Sequence, residues 1–135
     1  MTRRLAALEA LLGVLLALTP FVLWPVCSMP KPDGGHMLCW YSGILITAIG
    51  VLVVLFSILA WWKSWSFLLA AAAALLAWLA PNDIIHIAGA GWAVGLCGMA
   101  NHACRAVTMP AVGWIVLAIV LIGIAGLVSG FVGKR

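Results

Sequence analysis

Residues 111–132 read Ala111-Val-Gly-Trp-Ile-Val-Leu-Ala-Ile-Val-Leu-Ile-Gly-Ile-Ala-Gly-Leu-Val-Ser-Gly-Phe-Val132, twenty-two positions without a single charge. A helix crosses the roughly 30 Å hydrocarbon core of a bilayer with about 20 such residues. Only a helix or a closed barrel satisfies its own backbone there. This stretch therefore predicts a membrane-spanning helix, and the rest of the chain follows the same pattern. Residues 5–24 form a second candidate span, stopped by Pro25, and residues 41–62 a third. Residues 65–80, with five consecutive alanines from Ala70 to Ala74, form the shortest. Sixteen residues rise only about 24 Å, so this helix must stand nearly upright or gain a turn. Trp61, Trp62 and Trp65 at one end and Trp78 at the other have the amphipathic character of interfacial anchors.

Composition excludes a soluble globule. The chain is 67% hydrophobic and 7% charged over 135 residues, whereas a soluble domain carries about 25% charged residues. The expected fold is all-α: an integral membrane four-helix bundle forming a single domain over residues 1–135, with two cysteine-bearing loops outside the membrane. The net charge of +4 marks membrane edges rather than a nucleic-acid surface. Arg3, Arg4, Lys63, Lys134 and Arg135 fall on one side of a four-span arrangement, and only Lys31 and Arg105 on the other. The excess of lysine and arginine on cytoplasmic loops then places both termini in the cytoplasm. Arg3 and Arg4 ahead of an apolar run also resemble a signal peptide, but no small-x-small cleavage site follows. Residues 5–24 are expected to be a retained helix.

Residues 81–110 form a long excursion between the third and fourth spans. Residues 84–96 are apolar yet too short to cross, and Asn82 and Asp83 stand where a helix N-cap belongs. This segment is read as an interfacial or partly re-entrant helix lying over the bundle, the alternative being an extension of the third span. His86 within it reads as a hydrogen-bonding interface residue.

All four cysteines occupy the two outer loops: Cys27 and Cys39 bracket the first, and Cys97 and Cys104 lie in the second. Met29, His36, Met37, Met99, His102 and Met109 lie in or beside the same stretches. Three kinds of chemistry fit. In an oxidising compartment the cysteines form structural disulfides, each stabilising by about 3 kcal/mol through loop closure. Sequence leaves the three possible pairings open. Alternatively the cysteines are redox-active. Four helices with cysteines in both outer loops are similar in plan to DsbB-like quinone-coupled thiol oxidases, although those carry a Cys-x-x-Cys pair and the spacings here are Cys-x11-Cys and Cys-x6-Cys. The third reading is a soft-metal site, because thiolate, thioether and imidazole together select Cu(I), or zinc if the thioethers are spectators.

Glu9 lies about one turn inside the first span, a costly position for a carboxylate. It is expected either to reach back to the interface near Arg4 or to meet a partner subunit. Gly126 and Gly130 form a GxxxG pair with Gly123 close to the same face, a pattern that permits close helix packing within the bundle or against another protein. No nucleotide-binding loop, no Ser-His-Asp set and no chain of intramembrane carboxylates is present.

Several motifs carry a family resemblance. Leu15-Leu-Ala-Leu-Thr-Pro20 leads to Cys27, and Met37-Leu-Cys39-Trp40 opens the second span. Later come Val94-Gly-Leu-Cys97, Cys104-Arg105, and Thr108-Met109-Pro110-Ala111 leading into the fourth. Together these resemble an uncharacterised family of bacterial four-helix membrane proteins, classed as a domain of unknown function, over nearly the whole chain. The family pattern has Cys-His-Trp where this chain has Cys39-Trp40-Tyr41, which removes an imidazole beside Cys39. The resemblance implies a bacterial cytoplasmic (inner) membrane location and a setting beside ABC transporters of the MacB or FtsX type. The expected function is therefore a small non-enzymatic accessory subunit of such an assembly. A thiol-disulfide oxidoreductase, with quinone as cofactor, and a copper-binding or copper-transporting protein are the alternatives.

Overall fold

The computed structural model describes residues 1–25, 32, 34, 35, 38–82, 84–90, 92–96 and 104–134, with the side chain of Cys104 excepted. Four helices account for most of it: α1 (Thr2–Leu18), α2 (Leu38–Leu59), α3 (Ser66–Leu79) and α4 (Met109–Val132). Three helical segments, Thr2–Leu23, Leu38–Leu59 and Arg105–Val132, are long and apolar enough to cross a membrane. The fourth helix, α3, has 14 residues, a rise of about 21 Å. A lipid bilayer is the environment these surfaces fit, because their outward faces are hydrocarbon.

Two wider helical turns mark where proline interrupts the regular ladder. Pro20 has no N–H to give, so the chain after α1 continues as a π turn, Thr19–Leu23. Within it Trp24 donates its N–H five residues back to the Thr19 carbonyl at 2.9 Å, and Thr19 Oγ1 donates to the Leu15 carbonyl at 2.6 Å. The helix ends there because the residue before Pro25 is biased away from the helical region. A second π turn, Cys104–Thr108, precedes α4, whose Pro110 sits in its first turn.

The helices form a ring in which α1 packs against α2 and α4, and α3 against the same two. In lipid the hydrophobic effect does not drive helices together, so close packing of small residues does. At the α1–α2 crossing Gly50 lies directly against the backbone of Ala17, and Gly13 lies against Val53 and the Gly50 carbonyl. From α3, Ala70, Ala71, Ala74 and Ala77 face inward, which explains the alanine run. Leu16, Ile46, Val53, Val112 and Ile119 fill the centre.

One end of the bundle gathers Met1, Thr2, Ser64 of the α2–α3 turn, Gly133 and Lys134 around a cavity. This is the terminal end, and the described parts of the two longer loops lie at the other. There the described residues of the 84–96 segment form no helix, against expectation. Ala88–Gly89 and Trp92–Ala93 pair instead as a minimal antiparallel ladder, Ala88 opposite Ala93 and Gly89 opposite Trp92. Two causes are visible. Glycine is among the poorest helix formers, and this segment carries three. A stronger competing partner also exists, because Ser42 of α2 donates its hydroxyl to the Gly95 carbonyl at 2.6 Å and accepts the Gly95 N–H at 2.9 Å. The segment is thereby held extended on α2, with Tyr41 and Trp92 in ring contact at 6.2 Å. Thr108 Oγ1 closes the same end by donating to the Trp24 carbonyl at 2.9 Å.

Candidate functional site

Of the cysteine constellation, Cys39 is the member whose side chain is described. It is the second residue of α2, has no exposed surface and is disulfide-bonded. The backbone of Cys104 opens the second π turn. Cys27, Cys97, Met29, His36, Met37, Met99 and His102 lie outside the described residues, as do Lys31, Asp83 and Arg135. Met109 begins α4 and packs into the apolar core, and His86 is exposed. Among the described residues no three His, Cys, Asp or Glu side chains come together as a metal site would require.

The described chemistry instead centres on Glu9. Ala6, Glu9, Gly13 and Leu16 form the buried face of α1, so the carboxylate turns into the bundle rather than towards the interface or a partner. Its side chain has no exposed surface. All four helices converge on it. From α2, the Ser57 hydroxyl is hydrogen-bonded with Glu9 Oε2 at 3.1 Å. The same hydroxyl also approaches the Val53 carbonyl at 2.7 Å. From α4, Gly123 lies beside Glu9 Oε1, and a Cβ at that position would sit 3.3 Å from it. From α3, Ala71 and the Phe67 carbonyl meet the same point of Gly123. Oε1 itself has no hydrogen-bond partner among the described residues, a costly state for a polar atom removed from water.

The glycine stripe of α4 is likewise turned inward along its length. Gly123, Gly126 and Gly130 are all buried. Gly126 is covered by the Phe67 ring, whose Cε1 and Cζ would lie 2.7 Å from an added Cβ, and Gly130 by the Ser64 side chain. Ser57, Phe67 and Ser64 were not singled out by sequence reasoning. Their signal is only that a carboxylate inside a span needs a hydroxyl on a facing helix, and the spans hold several hydroxyl residues.

A family model described as a domain of unknown function, DUF4418, matches residues 9–131. The chain belongs to this family. The match begins at Glu9 itself and closes within the last turn of α4, so the DUF4418 region takes in the whole bundle apart from the first turns of α1. No curated protein and no solved structure matches the chain.

Proposed function

We propose that this DUF4418 protein is a non-enzymatic accessory subunit of a larger membrane assembly, a permease of the MacB or FtsX type in the inner membrane of a bacterium. In this reading α3 also crosses, the chain makes four passes, both termini are cytoplasmic and the cysteine loops face the oxidising side. The observation that carries it is the outward face of α4. Trp114, Leu117, Leu121, Ile124, Val128 and Phe131 recur at alternating steps of three and four residues and are all exposed, Trp114 to 73% and Phe131 to 65%. That spacing is the one by which a helix lays a continuous seam on a straight partner helix. Of the most apolar stretch of this segment 22% is buried inside the bundle, against 33% for the first span and 39% for the second. Over its most apolar stretch, the longest helix thus contributes less to the bundle than either of the other two long spans does over theirs.

The state of Cys39 supports a structural part for the cysteines. A disulfide sulfur sealed from solvent is out of reach of a soluble thiol, and buried cysteines are chemically inert. The test is co-purification of the tagged chain from its native membrane under oxidising and reducing conditions. Recovery of a permease in stoichiometric amount supports the accessory role. Recovery of a thiol-exchanging soluble partner, bound quinone or retained copper in its place would assign the chain to redox or metal chemistry instead.

A further inference from the structure

We propose that Glu9 is an intramembrane proton-binding site, reached from the terminal end of the bundle through a seam gated by the Phe67 ring. The two contacts of the serine share a single hydrogen, and a protonated carboxyl supplies the second. Ser57 has a single hydroxyl hydrogen and two acceptors, the Val53 carbonyl at 2.7 Å and Glu9 Oε2 at 3.1 Å. With that hydrogen on the shorter bond, the remaining contact is made by a carboxyl O–H donating from Oε2 to the serine oxygen. Among the described residues no cation pairs with the carboxyl. On α1 the nearest charges are Arg3 and Arg4, both exposed towards the terminal end. The other packed elements present Ser57 from α2, Phe67 and Ala71 from α3, and Gly123 from α4. Lys63 and Lys134 lie exposed at the terminal end. A neutral acid is the form that such surroundings tolerate.

The route is marked by the glycines. A cavity of about 560 Å³ at the terminal end is bordered by Thr2, Ser64, Gly130 and Lys134. Above it α4 presents glycine at three successive levels, Gly130 against Ser64, Gly126 against the Phe67 ring and Gly123 against Glu9 Oε1. At 1.5 Å per residue the carboxyl level lies about 10 Å above the cavity level. Between the cavity and the acid lies the fully buried Phe67 ring, packed with Ala6 and Ala60 and flanked by Leu5 of α1 and Leu127 of α4. Rotation of one ring opens the way for water. The ligand is therefore a proton, taken from and returned to water on the side of the termini.

The test uses the full-length chain in phosphatidylcholine nanodiscs and two carbodiimides. Apolar dicyclohexylcarbodiimide reacts with a protonated carboxyl whose O–H adds across the C=N bond, without a leaving group, and marks the peptide that carries Glu9. The expected labelling falls by about tenfold per pH unit once the site titrates and is lost in Glu9→Gln. A water-soluble carbodiimide should label wild-type protein slowly and Phe67→Ala about tenfold or more faster, the equivalent of a barrier lowered by 1.4 kcal/mol or more. Phe67→Leu, which keeps most of the packing volume, serves if the alanine variant fails to fold. Absence of labelling, or labelling unchanged between about pH 5 and 9, overturns the proton site. A water-soluble reagent indifferent to both Phe67 variants in folded protein overturns the gate.

Discussion

Replacing Gly50 by alanine tests the packing of the bundle at its tightest point. A Cβ at Gly50 would meet three atoms of Ala17 within 2.7 Å, its Cα and Cβ among them. Ordinary carbon contacts begin near 3.5 Å, so α1 and α2 must part by about 1 Å along a seam that also holds Gly13. Two of those three atoms are backbone, so no rotamer change relieves the clash. Overpacking of this kind costs about 1–3 kcal/mol or more, and the gain in helix propensity over glycine offsets up to about 1 kcal/mol. Gly113→Ala is the internal control, because its Cβ would meet only Trp78, at 3.3 Å. That variant should be neutral or stabilised by up to about 1 kcal/mol. Gly13→Ala, whose Cβ would lie 3.0 Å from two valine methyls, should fall between them. Reversible unfolding in mixed micelles, followed by helical circular dichroism, ranks the three. A Gly50→Ala protein as stable as Gly113→Ala would refute the account of the α1–α2 crossing.

Three further expectations concern single hydrogen-bonding or sulfur groups. Ser57→Ala removes the hydrogen-bond partner of Glu9 Oε2 and should cost about 1–3 kcal/mol. In a Glu9→Gln background the same change should cost measurably less, which a double-mutant cycle in the same unfolding assay reads directly. Ser42→Ala should free residues 84–96 from α2, because both bonds to Gly95 go with the hydroxyl; faster amide exchange at Gly95 and Val94, with the helices unchanged, is the expected sign. Cys39→Ser removes a buried disulfide sulfur and should cost about 2–5 kcal/mol, whereas the wild-type protein should yield no thiol at Cys39 to mild reductant until it is unfolded.

The helical architecture was legible because its signal is length. Long apolar runs leave few choices in a bilayer, and four helices stand where four were expected, three of them long and apolar enough to cross. The start of α2 lies three residues earlier than expected, since Leu38, Cys39 and Trp40 add a first turn at the membrane edge. The π turns were not legible beyond the presence of Pro20 and Pro110, because both depend on where freed backbone groups find new partners. Residues 84–96 misled for a similar reason: an apolar run following Asn82 and Asp83 has the local marks of a capped helix. What decides its shape is a serine more than fifty residues earlier in the chain, which periodicity within the segment does not carry.

The site was half legible. Glu9 stood out by chemistry, yet its direction depends on which face of α1 is inward, and the apolar pattern of a lipid-exposed helix is too uniform to say so. The small residues say it better. Ala6 and Gly13 share the face of Glu9, and small residues mark helix contacts in membranes. The glycine stripe of α4 has the same meaning: Phe67, Ser64 and Glu9 are what its missing side chains make room for. Of the cysteine chemistry, the structure adds the burial and bonded state of Cys39; the methionine and histidine candidates of the loops lie outside the described residues.

The accessory role is tested most directly by photo-crosslinking in the native membrane, with a photoreactive residue placed in turn at Leu121, Ile124 and Phe131 on the outward face of α4 and at Val51 and Leu55 on that of α2. The account predicts a discrete adduct with one larger membrane protein from the α4 positions and only lipid adducts from α2. Lipid adducts alone from every α4 position would contradict it.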